Sequence, residues 1–188
     1  MRVVKGVAAA MVCLLIATTP ALAKRVALVI GNSAYQSVSE LANPKNDAAA
    51  VADALTKIGF DEVLRRNDLD QRTLLKTLRE FADLSAGAET AVIYFAGHGV
   101  EVDNRNYLVP TDATLAKAAD VEFEAVPLDT VRTAVSAASK LRLVILDACR
   151  NNPFKMASGE SMRSVGRGLA RVEPSSNELI AYSAKEGT

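Results

Sequence analysis

The stretch 143-LVILDACRNN-152 decides the fold of this chain. Its first four residues, 143–146, are all aliphatic, which is typical of a central parallel strand covered on both faces. An acid and a thiol, Asp147 and Cys149, follow at the carboxyl end of that strand. Residues two apart on an extended chain point to the same side. The stretch therefore predicts a buried strand that ends by presenting a carboxylate beside a nucleophile.

Strand and helix patterns alternate on both sides of this segment. Apolar runs predict strands at residues 25–30, 62–64, 90–95, 141–146 and 178–184, and a hairpin over 100–109 that turns at 103–104. Capping residues and helical spacing predict helices from about 43 to 59, from 68 or 70 onward, and over 126–138. Strands separated by helices indicate an α/β fold, with a mostly parallel sheet and helices on both faces. Residues 151–177 lack periodicity and are predicted to form a long loop.

The first 23 residues have the pattern of a secretory signal peptide. Arg2 and Lys5 make a basic start, residues 7–18 form an apolar run that is short for a membrane span, and residues 21–23 read as an A-L-A cleavage site. We therefore expect an exported protein, periplasmic or secreted, whose mature chain begins near residue 24. An uncleaved N-terminal anchor is the alternative.

The charge balance argues against a nucleic-acid-binding role. Without the two basic residues of the predicted signal peptide, 20 Lys and Arg stand against 22 Asp and Glu, a net charge of about −2. The sequence has no basic stripe and no interleaving of aromatic and basic residues. We therefore expect no nucleic acid partner, and no membrane contact after signal cleavage.

One cysteine and one histidine remain in the predicted mature chain, Cys149 and His98. A single cysteine in an exported protein cannot form an internal disulfide, so a free reactive thiol is indicated, and one residue of each kind cannot complete a tetrahedral metal shell. Each residue follows a predicted parallel strand, and sites in open α/β sheets form beyond the carboxyl ends of the strands. A lone cysteine can be a small buried hydrophobe and a lone histidine a structural group. Their conjunction at one edge, with Gly97 and Gly99 beside the histidine, favours a catalytic pair.

Six sequence blocks, in order along the chain, resemble those of metacaspases and their bacterial relatives, the orthocaspases. The blocks are RVALVIGNSAY (25–35), NPKNDAAAVADAL (43–55), YFAGHGV (94–100), NYLVPTD (106–112), LVILDACRNNPF (143–154) and ELIAYSA (178–184). An A-C-R triplet with a histidine about 50 residues upstream is also close to the caspase signature. The resemblance implies a caspase-like three-layer sandwich over residues 24–188. Family members usually continue with another strand and helix, so this range is expected to lack the C-terminal part of the usual fold.

The resemblance implies a cysteine endopeptidase and a role for each residue of the pair. Cys149 would be the nucleophile, and His98 the acid–base that ionises the thiol and protonates the leaving amine. The backbone N–H groups of Gly99 and Cys149 would bind the oxyanion of the tetrahedral intermediate. The alternative is a caspase-like binding or scaffold module without turnover. A nucleotide-binding domain is disfavoured, because the turn after the first strand, GNSAYQ, matches neither phosphate-binding glycine motif.

The resemblance also implies a basic residue in the substrate. Asp147 matches an acid in the pocket that receives the side chain before the scissile bond, and metacaspases with Asp there cleave after Arg or Lys. Asp47 matches their second pocket acid, although it can also be a first-turn acid that complements a helix dipole. Because Arg pairs bidentately with a carboxylate, we expect Arg to be at least as good as Lys. The expected partner is a peptide or protein with Arg or Lys before the scissile bond.

The chain departs from the family pattern at two pocket positions, and the resemblance also raises the question of calcium binding. Pro44 stands where some metacaspases have cysteine, and Ala96 where some have serine, so the pocket is expected to be less polar than theirs. Several metacaspases need calcium, and no other cofactor is expected. The acids that could hold calcium are Asp112, Asp120, Glu122, Glu124 and Asp129. Calcium dependence stays open at this point.

The predicted loop over 151–177 carries several cations next to the expected acidic pocket. Exposed loops rich in small and polar residues are preferred sites of nicking. Caspases and some metacaspases are cut in the corresponding linker, so the resemblance implies self-cleavage after Arg163, Arg167 or Arg171. The alternative is that these cations only keep the loop soluble.

Overall fold

The computed structural model describes residues 23–149, 165–166, 169–170 and 172–183, and of residues 149, 165 and 166 it describes the backbone. The predicted signal peptide, apart from Ala23, lies outside these residues. No helix within the described ranges is long and apolar enough to cross a membrane. The strands are β1 (Arg25–Gly31), β2 (Glu62–Asn67), β3 (Thr90–Val102), β4 (Arg105–Leu108), β5 (Val126–Pro127), β6 (Leu141–Cys149), β7 (Val165–Gly166) and β8 (Glu178–Tyr182). The helices are α1 (Pro44–Lys57), α2 (Gln71–Ser85), α3 (Val121–Glu124), α4 (Leu128–Val135) and a 3-10 turn at Ala118–Asp120.

A parallel sheet with the strand order β2-β1-β3-β6-β8 forms the centre of the molecule. Its middle strand, β3, pairs with β1 on one side and with β6 on the other. The carboxyl half of β3 then enters an antiparallel ladder with β4 and β7, and β4 pairs in turn with β5. The prediction of a mostly parallel α/β sheet is confirmed.

Helices cover both faces of this sheet. On one face α1 contributes Ala48 and Ala52, which pack against Val29 of β1 and Tyr94 of β3. On the other face the apolar sides of α2 and α4 cover alternate residues of the same strands. The helices contribute Leu74, Leu78, Phe81, Val131 and Val135, and β1 contributes Leu28 and Ile30. Each fully buried side chain of this size contributes roughly 1.5–3 kcal/mol. The three-layer arrangement predicted from the family resemblance is therefore present.

Local signals in the sequence account for the ends of the two long helices. Pro44 occupies the first turn of α1, where its missing N–H and fixed φ suit the helix start, as predicted. Asp70 caps α2, because its carboxylate accepts a hydrogen bond from the Thr73 N–H at 2.7 Å. Gly59 follows α1 with φ of 87°, a left-handed conformation that glycine adopts without strain.

Two predicted strand ends are wrong, and both concern the site. β3 continues from Phe95 to Val102, so His98 lies inside the strand and not beyond it. β6 likewise runs to Cys149 instead of ending at Leu146. Both strands remain extended beyond the predicted ends, because they pair with each other as far as His98 and Cys149.

Other boundaries also differ from the predictions, and β2, predicted over 62–64, extends to Asn67. The helix expected over 126–138 covers only Leu128–Val135, since Val126 and Pro127 pair with β4 as a short strand. The expected loop over 151–177 contains β7, which pairs with the end of β3. The last strand ends at Tyr182, and residue 184, where it was predicted to end, lies outside the described residues. The predicted hairpin turn at residues 103–104 is present, with positive φ at Asp103 and Asn104.

Candidate active site

The register of the central strands brings the histidine and the cysteine together. β3 and β6 are parallel neighbours, and His98 is the in-register partner of Cys149. Neighbouring strand backbones lie about 4.8 Å apart, so the two residues face each other across one ladder position. The side chain of Cys149 lies outside the described part of the chain. The backbone positions alone place the thiol-bearing residue beside the imidazole at the carboxyl end of the parallel sheet.

Tyr35 holds His98 in position from the loop after β1. The His98 N–H donates a hydrogen bond to the Tyr35 hydroxyl at 2.7 Å, and that hydroxyl donates to the Val109 carbonyl at 3.2 Å. The two rings also pack with their centroids 4.5 Å apart and their planes tilted by 54°. Sequence reasoning missed Tyr35, since only the strand register brings the loop after β1 against His98.

Burial sets the protonation state of the imidazole. His98 is only 4% exposed, and this burial lowers its pKa from 6.5 to about 4. The imidazole is therefore neutral at neutral pH and able to accept a proton. A neutral imidazole can act as a general base, although a pKa of about 4 makes it a weaker base than an exposed imidazole.

The glycines beside His98 leave room for close neighbours. A Cβ at Gly97 would lie 2.6 Å from the Tyr35 hydroxyl, closer than real Cβ atoms come to an oxygen. A Cβ at Gly99 would lie 3.0 Å from a methyl group of Leu169 and 3.2 Å from the Cβ of Ala148. Gly97 is therefore required for the contact between the tyrosine and the histidine strand.

The ladder between β3 and β4 fixes the direction of the Gly99 N–H. The Val109 N–H donates to the His98 carbonyl at 3.0 Å, which makes the facing residues Gly99 and Leu108 a non-hydrogen-bonded pair. In such a pair the N–H groups point away from the partner strand. The Gly99 N–H is therefore directed away from β4, toward the side on which β6 ends at Cys149.

A cleft of about 200 Å³ opens next to this edge and contains both predicted pocket acids. Asp47 reaches it from the first turn of α1, and Asp147 reaches it from β6. The remaining lining residues are Leu41, Ala42, Asn43, Pro44, Ala96 and Gly97. The two positions where the sequence departs from metacaspases, Pro44 and Ala96, thus form part of its wall. The cleft combines two carboxylates with a largely apolar lining.

Two hydroxyl groups hold the Asp147 carboxylate. The Tyr94 hydroxyl donates to Oδ2 at 2.9 Å, and the Ser183 hydroxyl donates to Oδ1. Burial raises the pKa of Tyr94 above its ordinary value, and the hydrogen bond and charge of Asp147 raise it further. Among the described residues no Lys or Arg forms a salt bridge with Asp147. Sequence reasoning missed Tyr94 and Ser183, because their role depends on the sheet register.

The five acids considered for calcium are engaged in local contacts. Backbone N–H groups donate to Asp112, Asp120 and Glu124, Arg105 pairs with Glu122, and Arg132 pairs with Asp129. Within the described ranges no group of three or more His, Cys, Asp or Glu residues could hold a metal ion. The proposed self-cleavage residues, Arg163, Arg167 and Arg171, lie outside the described residues.

Comparison with family models matches residues 24–188 to the caspase domain. The match covers most of the chain, so the chain belongs to the caspase domain family, which consists of cysteine peptidases. The narrower grouping with metacaspases or orthocaspases stays a prediction.

Two curated proteins are similar to part of the chain. The Homo sapiens mucosa-associated lymphoid tissue lymphoma translocation protein 1 is 33% identical over 89 residues, which are 47% of this chain and 11% of that protein. The homolog from Mus musculus is 32% identical over 89 residues, with the same coverage. The matched segment therefore spans about a ninth of the length of these relatives.

A solved structure supports the fold. The crystal structure of a protein from Geobacter sulfurreducens superposes with a TM-score of 0.53 and 16% sequence identity. The superposition covers 67% of this chain and 50% of that chain. At this identity the likeness concerns the fold alone.

Proposed function

We propose that this chain is a cysteine endopeptidase that cleaves peptides or proteins after Arg or Lys. The observation that carries the proposal is the pairing of His98 with Cys149 in register, next to a cleft that contains two carboxylates. Membership in the caspase domain family supports the reaction type. The cleft chemistry supports the preference for a cation, because acids in a confined pocket favour a positively charged side chain.

In the proposed reaction His98 takes the proton of the Cys149 thiol, and the thiolate attacks the scissile carbonyl carbon. A C–S bond forms, and the carbonyl π electrons move to oxygen as an oxyanion. The N–H groups of Gly99 and Cys149 stabilise this oxyanion, and each such donor typically contributes about 3 kcal/mol. The direction of the Gly99 N–H, away from β4, suits this role.

The second half of the reaction restores the enzyme. The C–N bond breaks as protonated His98 gives its proton to the leaving amine, which leaves an acyl group on the sulfur. Neutral His98 then takes a proton from water, and the resulting hydroxide attacks the thioester. The C–S bond breaks, and the proton returns from His98 to the thiolate. Burial keeps His98 in its neutral form at the start of each half-reaction, although the lowered pKa also makes the imidazole a weaker base.

Turnover of a fluorogenic peptide with Arg before the scissile bond tests this proposal. We expect the wild type to cleave it, Cys149→Ala to be inactive, and His98→Ala to be slower by orders of magnitude, since both thiol activation and proton delivery are lost. Each protein is assayed with calcium and with a chelator, which measures the calcium dependence in the same experiment. Wild-type-like turnover by either variant contradicts the assignment, and peptide binding without any turnover would indicate an inactive binding module.

We further propose that the enzyme cuts itself between β6 and β8. β6 ends at Cys149, two residues after the cleft residue Asp147, so the segment that follows begins close to the acidic cleft. Wild type and Cys149→Ala are purified in parallel, and new N-termini are mapped by mass spectrometry. Cuts after Arg163, Arg167 or Arg171 in the wild type alone agree with the proposal. The same cuts in both proteins would assign them to a contaminating protease.

A further inference from the structure

The Asp147 carboxylate accepts one hydroxyl hydrogen bond on each of its oxygens. Tyr94 donates to Oδ2 from within β3, where its side chain is 5% exposed. Ser183 donates to Oδ1 from the residue after β8, and its own N–H donates to the Leu146 carbonyl at 3.0 Å. The two donors come from strands on opposite sides of β6. They therefore fix the plane of the carboxylate from both sides.

Among the described contacts each oxygen of Asp147 accepts one hydrogen bond, so each has the capacity to accept another from a ligand. An ionised carboxylate has about four lone-pair sites, two on each oxygen. Each hydroxyl uses one of these sites. We take the two hydroxyls to occupy the outer lone pairs of the carboxylate, so that the two inner lone pairs, which are parallel, match the two parallel N–H groups of a guanidinium. A lysine ammonium is a compact point charge and gains much less from a fixed plane.

We propose that Tyr94 and Ser183 are specificity-determining residues that make the cleft select Arg over Lys by fixing the plane of the Asp147 carboxylate. This inference rests on the proposed function, because it assumes that the cleft receives the cation before the scissile bond. Neither residue would touch the reacting atoms, so both act through Asp147.

The nature of the donors strengthens the argument. Hydroxyl groups orient a carboxylate without neutralising it, whereas a Lys or Arg partner would cancel the charge that the substrate must meet. Burial raises the pKa of Tyr94, and Asp147 raises it further, so the phenol stays protonated and remains a donor. Asp47 adds a second negative charge in the same cleft but forms no hydrogen bond with either hydroxyl among the described contacts. The selection of Arg over Lys by geometry is thus assigned to Asp147, whereas Asp47 contributes only negative charge to the cleft.

The test measures binding in a background that cannot turn over. Two peptides that differ only in Arg or Lys at the residue before the scissile bond are titrated into Cys149→Ala by calorimetry. We expect Tyr94→Phe and Ser183→Ala each to lower the Arg-to-Lys affinity ratio by on the order of tenfold, mainly through weaker Arg binding. An unchanged ratio in both variants, an equal loss for both peptides, or no binding of either peptide overturns the inference.

A matched control separates this effect from a general loss of packing. Tyr107 is another buried tyrosine whose hydroxyl donates to a carboxylate, that of Glu122, outside the cleft. We expect Tyr107→Phe to leave the Arg-to-Lys ratio unchanged, and a shift as large as that of Tyr94→Phe would contradict the proposed role. Ser183 is exposed, so Ser183→Ala provides a test even if Tyr94→Phe lowers the stability of the fold.

Turnover by the protein with an intact Cys149 is measured separately on the same two peptides. Hydrolysis without the change in selectivity rejects the role of Tyr94 and Ser183 and leaves the proposed function in place. Selective binding without hydrolysis rejects the proposed function and supports the role of the two hydroxyls. The two failures are therefore distinguishable.

Discussion

The two ends of the parallel sheet each hold a carboxylate, and they hold it in opposite ways. At the amino end Glu178 accepts two hydrogen bonds from the Arg132 guanidinium, at 2.7 and 2.8 Å, and its side chain is 5% exposed. At the carboxyl end Asp147 accepts hydrogen bonds from the hydroxyls of Tyr94 and Ser183. The charge of Glu178 is neutralised within the protein. The charge of Asp147, among the described residues, meets no cation.

This difference separates a structural acid from a candidate binding acid. The hydrogen bonds from Arg132 hold the pKa of Glu178 at about 2, against an ordinary 4.5, although burial opposes the shift. That pair connects β8 to α4, and β8 leads directly to Ser183, whose hydroxyl donates to Asp147. An acid that is oriented by neutral donors, in contrast, keeps its charge for a ligand. A carboxylate paired with a cation of the protein thus stabilises the fold, whereas a carboxylate held only by neutral donors can bind a cation of a substrate.

The largest expected effect is that of Asp147→Asn on activity. The substitution keeps the size of the side chain and removes the charge that a substrate cation would meet. We expect a loss of about 2–5 kcal/mol of transition-state stabilisation, which is roughly 30-fold to several-thousand-fold in kcat/KM for an Arg peptide. Steady-state kinetics measures it. Wild-type-like cleavage of the Arg peptide would show that Asp147 is structural after all.

Glu178→Gln is expected to change stability instead of specificity. Removing Glu178 leaves Arg132 with only the exposed Asp129 as a charged partner, so we expect the free energy of unfolding to fall by about 3 kcal/mol. Denaturant unfolding at pH 7 measures the change, and the Arg-to-Lys preference of the remaining folded enzyme is expected to stay the same. A change in that preference as large as that of Asp147→Asn would erase the distinction between the two acids.

The contribution of Glu178 to the stability of the fold is expected to decrease as the pH falls. The folded pKa, about 2, lies below the unfolded value near 4.5, so the stabilisation is fully present above about pH 4.5. It is lost as the pH falls from 4.5 toward 2. We therefore expect the stability difference between wild type and Glu178→Gln to shrink over this range. A difference that stays constant down to pH 2 would mean that the ion pair does not set the pKa.

Asp47→Asn is expected to have a smaller effect than Asp147→Asn. Asp47 lies in the same cleft at the start of a helix, but among the described contacts no side chain donates a hydrogen bond to its carboxylate, whereas two hydroxyls hold Asp147. We expect a loss of about 1 kcal/mol, roughly fivefold in kcat/KM for the Arg peptide. If Asp47 only complements the helix dipole, the substitution changes the unfolding midpoint and leaves the kinetics unchanged.

An exposed ion pair on α2 is expected to contribute least to the free energy of unfolding. Lys76 and Glu80 lie one turn apart on α2, with Nζ and Oε1 separated by 3.5 Å and side chains 74% and 53% exposed. Solvent and salt screen such a pair, so Glu80→Gln should change the free energy of unfolding by less than about 0.5 kcal/mol and leave kcat/KM unchanged. A loss approaching that of Glu178→Gln would show that burial does not govern these ion pairs.

The sequence was sufficient for the features that depend on periodicity and local capping. The aliphatic runs predicted the core strands, and Pro44 and Asp70 marked the helix starts. The side-by-side placement of Asp47 and Asp147 was anticipated from the family resemblance and not from any local pattern. Strands and helix starts could be predicted because residues close together in the sequence determine them.

The features that the sequence did not reveal all depend on contacts between distant segments. The strand predicted over residues 90–95 continues through Ala96 and Gly97, because the ladder with β6 keeps them extended. Tyr35 reaches His98 across 63 positions of the chain, and Tyr94 reaches Asp147 across 53. Only the strand order and register make these neighbours, and neither can be deduced from the residue types.

The most direct test compares the labelling of Cys149 by two electrophilic peptides. They carry the same thiol-reactive group and differ only in Arg or its uncharged analogue citrulline at the residue before it. Intact-mass and peptide mass spectrometry give the labelling rates and the labelled residue. We predict that the Arg peptide labels Cys149 at least about a hundredfold faster, and that Asp147→Asn removes most of this difference. Equal rates in the wild type, or a label on a residue other than Cys149, would contradict the account.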